Sequence, residues 1–173
     1  MIILGIDPGT ATTGYGIVQD KKTKGKKRSF QCISCGTIKT KPTQSTPARL
    51  QIIHKELEKI INQYQPEILV MERIFLFRNL KTVIAVSQAQ GIVLYTAAKK
   101  KVPVYQFTPP QIKMTITGYG RAEKKEVEAK VKKIFKVRNL PSKSDDAIDA
   151  LAIALTYHLK TDDKTIKALD KLS

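Results

Sequence analysis

A mixed α/β sheet with helices on both faces is the fold this sequence predicts, from three observations. Three strand-like segments open the chain, strand and helix patterns alternate after them, and an apolar helix follows near the end. At 173 residues the chain is long enough for one well-buried core and too short for two ordinary domains. The expected division is a single domain over 1–160 followed by a polar tail, 161–173.

Residues 1–7 and 12–20 read as strands separated by the turn Pro8-Gly9-Thr10, and 30–40 as a third strand after a basic hairpin tip, 21–28, that carries Gly25. Leu50, Ile53, Leu57, Ile60 and Ile61 recur at helical spacing, which predicts a helix over 47–64. Residues 67–72 form a short buried strand behind Pro66. The segment 79–101 is helical and rich in small residues, which permits close helix packing. A fifth strand is expected over 102–107, a short helix from Pro109-Pro110, and a lysine-rich helix over about 122–136. The last helix begins after Pro141, capped by Ser142 or Ser144.

Charge and cysteines narrow the partners. Lysine and arginine number 31 against 15 acids, a net charge of +16 spread along the chain, which suits nucleic acid before membrane. No apolar run approaches the roughly 18 residues that cross a bilayer, and the first acid comes too early for a signal peptide, so a cytoplasmic protein is expected. Cys32 and Cys35 form a lone C-x-x-C without paired histidines. On a regular strand, positions three apart face opposite sides, so ordinary reduced thiols are expected.

Carboxylates stand where apolar sequence should have none. Ile2-Ile3-Leu4-Gly5-Ile6 ends on Asp7, Ile68-Leu69-Val70-Met71 ends on Glu72, and Asp149 lies within Ala147 to Leu155, which otherwise reads as buried helix. An unpaired buried carboxylate costs several kcal/mol or shifts its pKa until it is neutral. Each acid alone has an ordinary account: a turn cap for Asp7, an ion pair with Arg73 or Arg78 for Glu72, the helix dipole for Asp145 and Asp146. Together they are better explained by convergence on a divalent cation. If the first and fourth strands are parallel neighbours, their carboxyl ends lie side by side, where open α/β sheets place ligands. Helix spacing allows either Asp145 or Asp146 to join Asp149. All-oxygen donors favour magnesium or manganese over zinc, and paired ions suit attack of water on a phosphodiester.

The glycine-flanked loop Thr117-Gly118-Tyr119-Gly120-Arg121 feeds the helix that starts near Lys124 and, with Lys113, offers N–H groups and cations to a phosphate. Phe75, between Arg73 and Arg78 and just beyond Glu72, is a candidate base contact; Phe77 reads as core. The candidate DNA-binding set is therefore Phe75, Arg73, Arg78, Lys113, Arg121 and Lys124.

Gly5-Ile6-Asp7-Pro8-Gly9-Thr10 with Gly14-Tyr15-Gly16, Met71-Glu72-Arg73-Ile74-Phe75, Gly118 to Lys124, and Asp146 to Ala154 resemble, in that order, the motifs of the RuvC family of bacterial Holliday-junction resolvases. The resemblance runs from residue 1 to about 158. It implies a ribonuclease H-like fold, a homodimer formed through the helix of 79–101, and paired nicks at a four-way DNA junction in recombination and repair. It implies Asp7, Glu72, Asp146 and Asp149 as catalytic metal ligands for two Mg2+ ions, with Mn2+ able to substitute. Phe75 maps to the junction-probing residue, Lys113 and Lys124 to the basic residues at the cut phosphate, and the branch-migration proteins RuvA and RuvB to its partners. Departures are Asp145, the long basic hairpin and the polar tail. Competing readings are a nuclease of this fold acting on RNA or other branched nucleic acid, and a junction-binding protein without catalysis. The Asp7-Pro8-Gly9-Thr10 turn also resembles the phosphate loop of actin-like ATPases, which need two such domains.

Overall fold

The computed structural model describes residues 1–21, 29–73, 80–135 and 144–160. The elements are β1 (Ile2–Asp7), β2 (Thr12–Lys21), β3 (Ser29–Lys39), α1 (Thr46–Tyr64), β4 (Ile68–Glu72), α2 (Leu80–Lys99), β5 (Val104–Phe107), α3 (Pro109–Thr117), α4 (Lys124–Ile134) and α5 (Asp145–Lys160). The strands form one sheet in the order β3-β2-β1-β4-β5. β2 pairs antiparallel with β1 and β3, while β4 runs parallel to both β1 and β5. The expected five-stranded mixed sheet, with β1 and β4 as parallel neighbours, is the observed one. The tip of the basic hairpin, Phe75, Phe77, Arg78, Ser142 and the 161–173 tail lie outside the described residues. No described helix is long and apolar enough to cross a membrane.

The pleat sorts side chains between two cores. Leu4, Ile6, Ile17, Leu69 and Met71 pack with Ile53, Leu57 and Ile61 of α1 and with Ala89, Val93 and Ala97 of α2. Ile3, Val18, Val70 and Phe107 pack on the other face with α3, α4 and the buried length of α5. Successive strand residues point to opposite faces. Asp7 therefore shares the face of Ile3, and Glu72 that of Val70, both beneath α5.

What seats α5 is a row of glycines. A Cβ built at Gly5 would stand 2.0 Å from Ala150 O, one at Gly14 2.0 Å from Asp146 O, and one at Gly16 2.8 Å from Leu151 Cδ2. The helix backbone thus lies almost directly on β1 and β2. Ser144 begins it: the Ala147 N–H donates to Ser144 Oγ at 3.3 Å, which chooses Ser144 as the cap. Asp145 and Asp146 occupy the first turn, where the macrodipole favours acids.

One expectation fails. Cys32 and Cys35 do not face opposite sides of β3, because the register slips there: Cys32 pairs with Val18 and Ser34 with Ile17, leaving Ile33 as an extra residue. The bulge restores Cys32 and Cys35 to one face, where both pack against the α5 core and their thiols meet. Neither forms a disulfide, and the contact with Cys35, together with burial, pushes the Cys32 thiol up.

Candidate active site

β1 and β4 end side by side, with Ile6 opposite Met71, so Asp7 and Glu72 follow at the same sheet edge. The backbone there is fixed from several sides. Thr13 Oγ1 donates to Gly9 O at 2.6 Å and Thr40 Oγ1 to Thr10 O at 2.6 Å, which holds the turn after Asp7. Gln90 of α2 donates to the Glu72 carbonyl at 2.6 Å, and the Arg73 N–H to Phe107 O at 2.8 Å, which holds the end of β4.

Asp7, Glu72 and Asp149 line one cleft of about 380 Å³ with Lys113 and Lys124, over a floor that includes Ile112, Val127, Ala152 and Ile153. Burial, then the charges of Asp149 and Asp146, push the Asp7 carboxyl up to about 6. Burial, then Asp7 and Asp149, push Glu72 up to about 7, against a smaller opposing pull from Lys113. Asp149 is also raised, by burial first, and held back by its hydrogen bond to Lys124. Asp149 thus adds to the shifts of both Asp7 and Glu72, and is itself raised by Asp145 and Asp146, so negative charge accumulates at this edge.

Lys124 supplies the nearest counter-charge. Its ammonium lies 2.9 Å from Asp149 Oδ2 and 3.6 Å from Asp145 Oδ2, and the Asp149 hydrogen bond raises its pKa. It stands at the first position of α4, where the Glu123 N–H donates to Glu126 Oε2 at 2.7 Å. A cation at a helix N-terminus opposes the macrodipole, and Asp149 offsets that cost. Among the described residues no group of three or more His, Cys, Asp or Glu side chains is gathered tightly enough to hold a metal ion as it stands.

The other predicted residues fall as follows. Asp146 adds to the charge on Asp7, whereas Asp145 is exposed, faces Lys124, and does not figure among the charges acting on Asp7 or Glu72. Asp145 and Asp146 both add to the charge on Asp149, so the electrostatics separate the two only at Asp7. Arg73 is exposed beyond β4, and among the described residues no ion pair joins it to Glu72. Arg121 is exposed in the turn before α4, outside the cleft wall. Phe75 and Arg78 lie outside the described residues. Reading the sequence missed Gln90 and the helix-seating role of the glycines. Gln90 carried no signal beyond a polar side chain in a small-residue helix, and its partner is a backbone carbonyl.

Residues 3–157 match the family described as crossover junction endodeoxyribonuclease RuvC. A relative of that description from Syntrophomonas wolfei is 45% identical over 157 residues, covering 91% of this chain and 88% of its own length. Thermus thermophilus RuvC superimposes with a TM-score of 0.83 at 32% identity, covering 93% of this chain and 95% of that one. The same protein in complex with a Holliday junction substrate also gives 0.83, at 32% identity, covering 93% and 94%. The sheet order, the carboxylate edge and the length of the match agree: the chain belongs to the RuvC family of crossover junction endodeoxyribonucleases, with their ribonuclease H-like fold.

Proposed function

We propose that this chain resolves four-way DNA junctions by paired hydrolytic nicks, with Asp7, Glu72, Asp146 and Asp149 as the metal-holding catalytic residues of a single domain over 1–160. The observation that carries this is the set of half-buried carboxylates at one sheet edge, Asp7 and Glu72 both pushed up by burial and by neighbouring acids, flanked by two lysines. A family nuclease depends on a divalent cation, and the residues fit one: the donors are all hard oxygens and their charge is unbalanced. The proposed cations are two Mg2+, for which Mn2+ would substitute; when bound, they would activate the attacking water and stabilise the departing oxygen. Lys113 and Lys124, which line the cleft with the acids, would hold the phosphate over them, Lys124 from its place beside Asp149. Arg73 and Arg121 take flanking phosphates, as Arg78 would, and Phe75 probes the junction by analogy with the family.

Homodimerisation through α2 is supported by Ile84, Leu94 and Tyr95, which this helix leaves exposed. Family membership implies RuvA and RuvB as partners. Sedimentation should give twice the 19.4 kDa chain mass; a monomer at micromolar concentration would exclude the dimer.

The deciding experiment compares cleavage of a synthetic four-way junction, a linear duplex and an RNA–DNA hybrid in Mg2+. Junction-selective paired nicks are expected; preference for the hybrid would move the substrate to RNA. Junction binding should also weaken by about 10³- to 10⁵-fold between 50 and 200 mM salt, as about six to ten phosphate contacts require. A flat salt response would exclude a backbone-tracking interface.

Cation binding has a stability signature independent of cleavage. The folded protein keeps protons on Asp7 up to about 6 and on Glu72 up to about 7, where the unfolded chain has already lost them. Cation-free stability therefore declines as pH rises from about 4 through 7, and the cation reverses that loss once both groups are ionised. About 10 mM Mg2+ should raise Tm by roughly 5 °C at pH 8 and by little at pH 5. An equal shift at both pH values would place binding elsewhere.

A further inference from the structure

We propose that Tyr119 stacks on a nucleobase next to the phosphate held in the cleft, with Met114 extending the same platform. This rests on the nuclease reading above and adds a base contact to it.

Tyr119 is 59% exposed and Met114 53% exposed, a large apolar surface to leave in water beside a charged cleft. Both belong to the segment that forms one cleft wall. α3 lines the cleft with Pro109, Ile112 and Lys113, and α4 returns Lys124 to it seven residues after α3 ends. Tyr119 lies within that connection, between the two lysines and next to the exposed Arg121.

The connection is held in place. Gly118 closes α3 in the left-handed region at φ 85°, its N–H bonded to Met114 O at 2.9 Å. The Tyr119 N–H donates to Thr117 Oγ1 at 3.1 Å, and that hydroxyl donates to Lys113 O at 2.9 Å. The Tyr119 carbonyl accepts from the N–H of Ala122, a buried residue, at 3.1 Å. On the far side, a Cβ at Gly120 would meet Pro110 O at 3.4 Å and Met114 Cε at 3.8 Å, so the turn rests on the Met114 face of α3.

The backbone of Tyr119 is thus anchored at both its N–H and its carbonyl while its ring projects between side-chainless neighbours. An exposed aromatic ring on an anchored backbone, in a segment whose two ends bring lysines to the cleft, is suited to receive a stacked base. A solitary exposed tyrosine needs no account. This one lies in the short connection between two cleft-lining lysines, one residue from a turn that rests on the exposed Met114.

The test uses the full chain and a synthetic four-way junction carrying 2-aminopurine beside the cut phosphate. Binding of the parent protein in EDTA should quench the probe, and Tyr119→Phe should quench it equally. Tyr119→Ala should lose the quench, weaken junction binding by about 10- to 100-fold, and spread cleavage over more sites, with Tm unchanged within about 2 °C. Full quench and unchanged cleavage sites in Tyr119→Ala overturn the proposal, as does a large fall in Tm, which would mark a packing residue. If the parent protein neither binds nor cleaves the junction, the nuclease reading fails first and this one with it. If the parent cleaves and Tyr119→Ala behaves identically, this one fails alone.

Discussion

Asp7→Asn is expected to lower junction cleavage by about 10³-fold or more, equivalent to about 4 kcal/mol of transition-state stabilisation, while leaving the protein folded. The substitution keeps the shape of the side chain and removes a charge proposed to hold the cation. It also removes one member of the repelling set, which gives the prediction a second, opposite sign. Asp7 is held up to about 6 against an ordinary 3.8, so at pH 8 its ionised form is a burden on the cation-free fold. Asp7→Asn should therefore melt a few degrees above the parent at pH 8 in EDTA, about 2–4 °C for each kcal/mol relieved. The advantage should shrink as pH falls through 6 and vanish toward 3.8, where the carboxyl is protonated in both states. Single-turnover cleavage and melting curves across that range check both parts. A variant that loses activity and stability together at every pH would make Asp7 a structural residue.

Gly14→Ala is expected to damage the enzyme from beneath. Its new Cβ would stand 2.0 Å from Asp146 O and 2.5 Å from Asp146 C, both backbone atoms, so neither can rotate away. α5 must lift or β2 must sink. Overpacking of this kind costs typically about 1–3 kcal/mol, or roughly 2–12 °C in Tm for a chain of this size. Because α5 carries both Asp146 and Asp149, the displacement should also separate them from Asp7, and cleavage should fall by about 10-fold or more. Gly91→Ala offers the comparison within one subunit: its Cβ meets nothing within 4 Å there, so at concentrations below dimer formation helix propensity should make it neutral or slightly stabilising in melting curves. Equal behaviour of the two variants would show that the helix seat tolerates a methyl group.

Much of this architecture was legible because it is written in short-range periodicity. Aliphatic runs ending on Asp7 and Glu72 announced strand-end acids, and two-residue alternation set both on the face of Ile3 and Val70. Asp149, one acid in an otherwise apolar helix, stood out for the same reason. The Cys32–Cys35 contact was misjudged because a one-residue bulge at Ile33 reverses the facing of everything beyond it. No residue type announces such a slip. Periodicity leaves the choice between Asp145 and Asp146 open for a related reason: three and four residues both return to one helix face.

The amino-acid order by itself determined the elements, the face each one buries, the carboxylates at two strand ends and the excess of positive charge, since all of these are properties of neighbours along the chain. Tertiary structure alone decided that Gly5 and Gly14 bring α5 into backbone contact with the sheet, that Lys124 rests on Asp149, and that Gln90 ties down Glu72. Those pairings depend on the distance and crossing of elements far apart in the chain. Periodicity records which side of a helix is covered, but not what covers it.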